Sequence, residues 1–329
     1  MKRVPWKASS VPRALAAAFV LSTVSLSAHA LVIVPNFGVG VSAAAQAAFN
    51  FAASEFQTLF TDPVTLHINV NAGNSGLGGS STSLQFATPA TYAKVRADLI
   101  ADQIAHPSAA GAVSIGAGGS VFTAVDPTGG GVFLYSFAQA KALGQRAAND
   151  TAVDGTFTYN ALLTYTFNPL SRGTGGFDFI GVAEHEISEI MGRIPGLGAN
   201  FCGTPPCGPD YLAYDLFRFT APGARGLTDA AGVYFSINNG TTNIHGYNFA
   251  NGNGSDPQDF DASDPTDPFN AFTGPNQAHA INAGDITSLD VIGWDRRAAA
   301  VVPEPETFGL LLAGLCAVGL ARRRVRSSS

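Results

Sequence analysis

Phe177-Asp-Phe-Ile-Gly-Val-Ala-Glu-His185-Glu186-Ile187-Ser188-Glu189-Ile190-Met191-Gly192-Arg193 is the stretch on which the reading of this chain turns. Val182, Ile187, Ile190 and Ile194 supply apolar contacts, while His185 and Glu189, four residues apart, project from one side of a helix. A helix that carries His, Glu and Glu among so many aliphatic residues is not a solvated face. It reads as a buried helix that presents a polar site.

In the zinc motif HExxH, ligands at i and i+4 meet one metal ion, and the Glu beside the first ligand takes the proton from water. Here Glu189 stands where the second histidine would be, so the pattern is HExxE. A carboxylate oxygen binds zinc at about the same distance as an imidazole nitrogen, so the geometry survives the exchange, with a charged ligand making the metal less Lewis acidic. A plain i,i+4 hydrogen bond between His185 and Glu189 is the competing reading.

The surrounding chain resembles the active-site helix of zincin metalloproteases, especially exported bacterial proteins with PEP-CTERM tails. In that group the helix reads HEIxHxxG and is followed by a segment like Asp215-Leu216-Phe217-Arg218-Phe219-Thr220-Ala221-Pro222-Gly223 and an end like Leu289-Asp290-Val291-Ile292-Gly293-Trp294. The likeness runs over most of residues 31–295. It implies zinc as cofactor, His185 and Glu189 as metal ligands, and Glu186 as the catalytic base. Glu189 falls on a histidine position of the family, and the third-ligand position of the long form HExxHxxGxxH falls on Pro195.

A third protein ligand must therefore come from elsewhere. Asp215 stands in the run 211–219 beyond the helix, apolar apart from it and Arg218, where a following loop returns a ligand; capping a helix or pairing with Arg218 are its alternatives. His245 and His279 are the other neutral candidates, and their polar loop neighbours predict exposure. His67, between Leu66 and Ile68, reads as an ordinary strand histidine.

Both ends of the chain read as addresses. Met1 to Arg13 carries four positive charges, Ala14 to Leu26 is apolar or small, and Ala28-His29-Ala30 is a small-x-small cleavage site. Residues 1–30 are thus expected to be a secretory signal peptide. At the far end, Pro303-Glu304-Pro305 leads into an apolar run from Thr307 to Ala321 and then Arg322, Arg323, Arg324 and Arg326. That order resembles the PEP-CTERM sorting signal of Gram-negative bacteria, which an exosortase recognises and cuts near the Pro-Glu-Pro. The resemblance implies a secreted or cell-surface protein, exported across the inner membrane, that meets the membrane only transiently through residues 303–329.

The body, residues 31–302, holds ten basic against 22 acidic residues, a balance that excludes the basic patch of a nucleic-acid binder. Three cysteines exclude a disulfide-built scaffold, though Cys202 and Cys207 are placed to close a tight loop in an oxidising compartment. The Asp/Asn/Gly/Pro-rich run 251–267 lacks the ligand spacing of an EF-hand and reads as a solvated loop rather than a calcium site.

Strands are expected at 31–35 and 64–70, helices at 42–60 and 91–104, a Gly/Ser loop at 71–83, a short strand at 121–125 and a helix at 133–143. Strands at 156–159 and 162–167 are the candidate edges for a bound peptide. The fold class expected is α+β and zincin-like: a twisted mixed sheet packed on the HExxE helix within 31–197, with a C-terminal part, 198–302, closing the other wall of a cleft. The function this reading leads to is a secreted zinc-dependent endopeptidase with protein or peptide substrates. Its rival is a non-catalytic matrix or cell-surface protein on a degenerate zincin scaffold.

Overall fold

Strict alternation makes Thr65–Gly73 a strand with one buried face, since successive side chains point to opposite sides of the pleat; Leu66, Ile68 and Val70 are buried. In the computed structural model, which describes residues 30–116, 120–201 and 208–298, this strand pairs in parallel with Val32–Phe37. The expected leader, the sorting tail and the Cys202–Cys207 pair lie outside the described residues. Val32–Phe37 is β1, Ala43–Leu59 is α1 and Thr65–Gly73 is β2. Ser42 starts α1 by accepting a hydrogen bond from the Ala45 N–H. Alanines 45, 48, 52 and 53 then let the helix lie close to the sheet while Phe49 and Phe56 fill the gap, all of them buried.

Gly78–Thr82 forms β3, so the segment expected to be a Gly/Ser loop contains a strand. Its composition has poor intrinsic strand propensity, and tertiary pairing overrides that preference. Two helices follow, Tyr92–Ala105 (α2) and Ala109–Ile115 (α3). The strand expected at 121–125 is irregular chain with Val121 and Phe122 buried. The helix expected at 133–143 is split into a short strand, Val132–Phe133 (β4), and a helix, Phe137–Ala142 (α4). Ser136 divides the two by capping α4, accepting from the Gln139 N–H.

Gly155–Asn160 (β5) completes the main sheet, whose order is β1-β2-β5-β3, parallel except for antiparallel β3. The candidate edge 156–159 is therefore interior. Tyr165–Thr166 (β6), from the other candidate, pairs only with Phe177–Asp178 (β7). The free edge on this side of the sheet is β3. The segment that carries His185, Glu186 and Glu189 is Phe179–Ile190 (α5), packed on α1, β3 and β5. Gly155 makes that packing possible, because a Cβ there would lie 2.5 Å from Ile190 Cγ1. Rings of Phe49, Phe157, Tyr159 and Phe167 form a continuous aromatic cluster with Phe179, at the first turn of α5.

Beyond residue 198 the chain is mostly turns and short strands. Asp210–Tyr211 (β8) pairs with β4. A 3-10 turn at Ala213–Phe217 leads into Arg218–Ala221 (β9), Ala224–Arg225 (β10), Tyr234–Phe235 (β11) and His245–Gly246 (β12). These four make an antiparallel sheet of order β10-β9-β11-β12. Ala283–Asp290 (α6) and a final turn bring in Trp294, fully buried against Phe60, whose Nε1–H donates to the Met191 carbonyl at 2.9 Å. The architecture is mixed α/β, with several sheets and six helices among the described residues.

Candidate functional site

Asp178 caps α5 by accepting from the Ile180 N–H at 3.1 Å, and its other oxygen receives Arg172 Nε at 2.8 Å and the His279 N–H at 3.0 Å. Burial disfavours a charged Asp178, but His279 and Arg172 outweigh it and hold the carboxyl below its usual range. Arg172 also donates to Glu184 at 2.7 Å, so the start of the helix is fixed from two sides. The helix stops at Gly192, whose φ of +114° suits glycine.

One face of α5 borders a cavity of about 200 Å³ lined by Leu77, by Gly78 to Ser80 of β3, by His185, Glu186 and Glu189, and by residues between Gly254 and His279. The C-terminal part thus forms the wall opposite β3. His185 Nδ1 lies 2.8 Å from the Pro268 carbonyl oxygen. A carbonyl only accepts, so Nδ1 carries a proton and Nε2 is the atom turned to the cavity. Nε2 lies 3.4 Å from Glu189 Oε1 and 3.2 Å from Asp259 Oδ1. A lone pair aimed at two carboxylate oxygens is repulsive unless a proton or a metal cation sits between them. Burial alone would push His185 down, yet the Asp259 carboxylate outweighs it and raises the imidazole well above its ordinary range.

The spacing also fits a metal. Bonds of about 2.0–2.2 Å arranged tetrahedrally put neighbouring donors about 3.3 Å apart, close to both observed separations. Glu189 is oriented for the task by Ser80 Oγ, which donates to Oε2 at 2.6 Å, and by Gln258 Nε2, which donates to Oε1 at 2.6 Å. Behind the cluster, Arg193 is fully buried. It donates to Ser188 at 2.7 Å and to Asp259 at 3.3 Å, and its guanidinium stacks 4.4 Å from the Phe269 ring centre. Glu186 is buried beside Glu189 and lines the same cavity. Burial and then the Glu189 charge push its carboxyl well above the usual carboxylate range.

The tail read above as Pro-Glu-Pro, apolar run and arginines now has a counterpart among known families. Residues 301–326 match the PEP-CTERM protein-sorting motif. No curated protein and no solved structure matches the chain. The PEP-CTERM motif marks an exported protein whose C-terminus an exosortase processes. Among the described residues, no helix is long and apolar enough to cross a membrane.

In the body that the PEP-CTERM tail follows, Asp215 does not join His185 and Glu189. It is fully buried and accepts the backbone N–H groups of Gly196 at 2.8 Å, Leu212 at 2.8 Å and Leu197 at 3.4 Å. Burial pushes its carboxyl up to about 6, with those donors pulling the other way. Its role is capping, and the third member of the cluster is Asp259.

The sequence reading missed Asp259 because it lies in the 251–267 loop, read there as solvated. Nothing in the spacing of that loop marks it, and the only sign was the density of carboxylates in a segment otherwise destined for water. His279, expected to be exposed, is buried in the cavity wall with Nε2 2.8 Å from Thr273 Oγ1. His245 stacks at 4.2 Å on Phe260 and pairs with Asp267 at 3.2 Å, apart from the cluster. His67 is a half-buried strand residue whose N–H donates to Asp154.

Proposed function

We propose that the protein is an exported zinc-dependent endopeptidase with a zincin-like fold, in which His185, Glu189 and Asp259 hold the metal. The observation that carries this reading is the orientation of His185: its Nδ1 is committed to the Pro268 carbonyl, leaving Nε2 to face two carboxylates at 3.2 and 3.4 Å inside a cleft. One imidazole and two carboxylates with a remaining open position are a donor set that suits catalytic zinc. When bound, zinc supplies Lewis acidity to water and to the substrate carbonyl.

Glu186 is the general base in this reading. In its ionised form the Glu186 carboxylate accepts a proton from the attacking water, whose oxygen bonds to the carbonyl carbon; the raised affinity for a proton makes it a stronger base. It then passes that proton to the amine as the C–N bond breaks. The substrate chain lies along the free edge of β3, whose backbone groups are open to pairing on that side. Gly79 carries no side chain, and a Cβ there would meet nothing within 4 Å, which leaves room for a peptide to approach.

The tail reading extends this. Cleavage near Pro303-Glu304-Pro305 releases Thr307 to Ser329 and leaves the body outside the inner membrane of a Gram-negative cell.

One observation favours the rival, a non-catalytic surface protein: Arg193 with a protonated His185 balances Glu189 and Asp259 without a metal. Metal analysis of zinc-reconstituted, dialysed protein with a casein hydrolysis assay separates the two. About one zinc at this cluster with hydrolysis supports the peptidase. Protein that is metal-free at His185, Glu189 and Asp259 and inactive is the result expected of the rival.

A further inference from the structure

A second cluster lies away from the cleft, where α2 ends. Asp102 and His106 are one turn apart, the spacing of His185 and Glu189, and His106 is the residue that caps α2. His106 Nδ1 lies 3.5 Å from Asp102 Oδ1 and 3.0 Å from Asp295 Oδ2. These separations bracket the edge of about 3.3 Å expected of a zinc tetrahedron. The three donor atoms lie within 4.8 Å of one another.

Asp102 supplies an independent sign. Its side chain is only 8% exposed, and its second oxygen, Oδ2, is buried with no hydrogen-bond partner. A buried carboxylate oxygen with no partner is costly unless the carboxyl is protonated or a cation lies beside it. Within 4 Å of the Asp102 and Asp295 carboxylates, His106 is the sole basic side chain among the described residues. The Asp295 segment is held in place separately: its N–H donates to Asp62 at 2.9 Å, and Gln103 Nε2 donates to the Asp290 carbonyl at 2.9 Å. The donors are therefore presented by backbone that other contacts already fix.

We propose that Asp102, His106 and Asp295 form a second, structural site for a zinc-class divalent cation. An imidazole nitrogen as one of three donors suits zinc and disfavours calcium, which takes oxygen ligands. His106 is 55% exposed, so the ion reaches the site from solvent and water completes its coordination. The bound cation ties the C-terminal end of α2 to Asp295, eight residues ahead of Pro303. It anchors the end of the body at the point where the sorting tail leaves it. The site does not depend on the peptidase reading.

The test uses the full chain carrying His185→Ala, which silences the first cluster, after chelator treatment and dialysis. Zinc titration is read by native mass spectrometry and by thermal melting. Expected are one bound zinc and a rise of several degrees in Tm, both lost when His106→Ala is added. Asp102→Asn, which keeps the side-chain shape, is expected to weaken zinc binding at least tenfold while circular dichroism stays that of a folded chain. The proposal is overturned if the His185→Ala chain binds no zinc, if binding survives both His106→Ala and Asp102→Asn unchanged, or if calcium produces the same shift as zinc.

Discussion

At position 189 stands a carboxylate, and the residues around it suit one: Ser80 and Gln258 each donate to one of its oxygens at 2.6 Å. Glu189→Ala and Asp259→Ala are each expected to lower zinc affinity by about 10²-fold or more, because each removes a charged donor from a three-residue set. Asp215→Ala is the control. It leaves zinc affinity unchanged but lowers stability by about 1–3 kcal/mol, since three backbone N–H groups lose a buried acceptor. Chelator-competition titration and urea unfolding of the same three variants read both quantities. Equal zinc affinity for wild type and Asp259→Ala removes Asp259 from the centre. Glu186→Gln keeps the size of the side chain and replaces none of the three proposed ligands, so zinc content is expected to stay while casein hydrolysis falls at least about 10²-fold. Loss of metal in that variant assigns Glu186 a ligand role instead.

At the scale of elements, the contact between β3 and α5 decides whether the centre exists. Gly78 has no room for a side chain against the helix: a Cβ there would stand 2.5 Å from Val182 Cγ1 and 3.3 Å from Glu186 Oε1. Gly78→Val therefore forces β3 away from the helix, with an expected cost of about 1–3 kcal/mol in urea unfolding and a loss of zinc affinity through the displaced Ser80. Ser80→Ala isolates the second effect. It is expected to weaken zinc binding about tenfold with little change in stability, and an unchanged affinity would show that Glu189 needs no support from β3. The strands and helices with regular apolar periodicity, β2, α1, α2 and α5, were legible from sequence because their burial pattern repeats at the period of the backbone. β3 was not: Gly-Gly-Ser-Ser-Thr has no apolar face, and its strand state comes from hydrogen bonds to β5.

For the molecule as a whole, the last turn of the body closes the structure back on α5. Trp294 is buried between Phe60 and the end of α5, joined to Met191 by its indole N–H. Trp294→Ala is expected to cost about 3–5 kcal/mol, measured by urea unfolding. A cost below about 1 kcal/mol would mean that this turn is peripheral to folding. The tail yields a separate expectation: protein recovered from outside the inner membrane lacks Thr307 to Ser329 in intact mass analysis, while protein from cells without exosortase keeps them. Full-length chains at the final destination would contradict processing at this motif.

Sequence alone determined what depends on neighbours along the chain. The PEP-CTERM tail is such a feature, since residue order and position define it, and so is α5, where i and i+4 spacing places His185 and Glu189 on one side of one helix. The acidic balance of the body is another, because charge adds up without reference to fold. Tertiary structure decided what depends on return of the chain. Asp215 and Asp259 are both aspartates in the C-terminal part, and no local rule separates them. One is drawn beneath a turn by three backbone N–H groups, the other is carried by an irregular loop to within 3.2 Å of His185. The same holds for Ser80, Gln258 and Arg193 around Glu189. Long-range convergence is set by how sheet, helix and loop pack together, and a side chain bears no mark of it until the chain has folded.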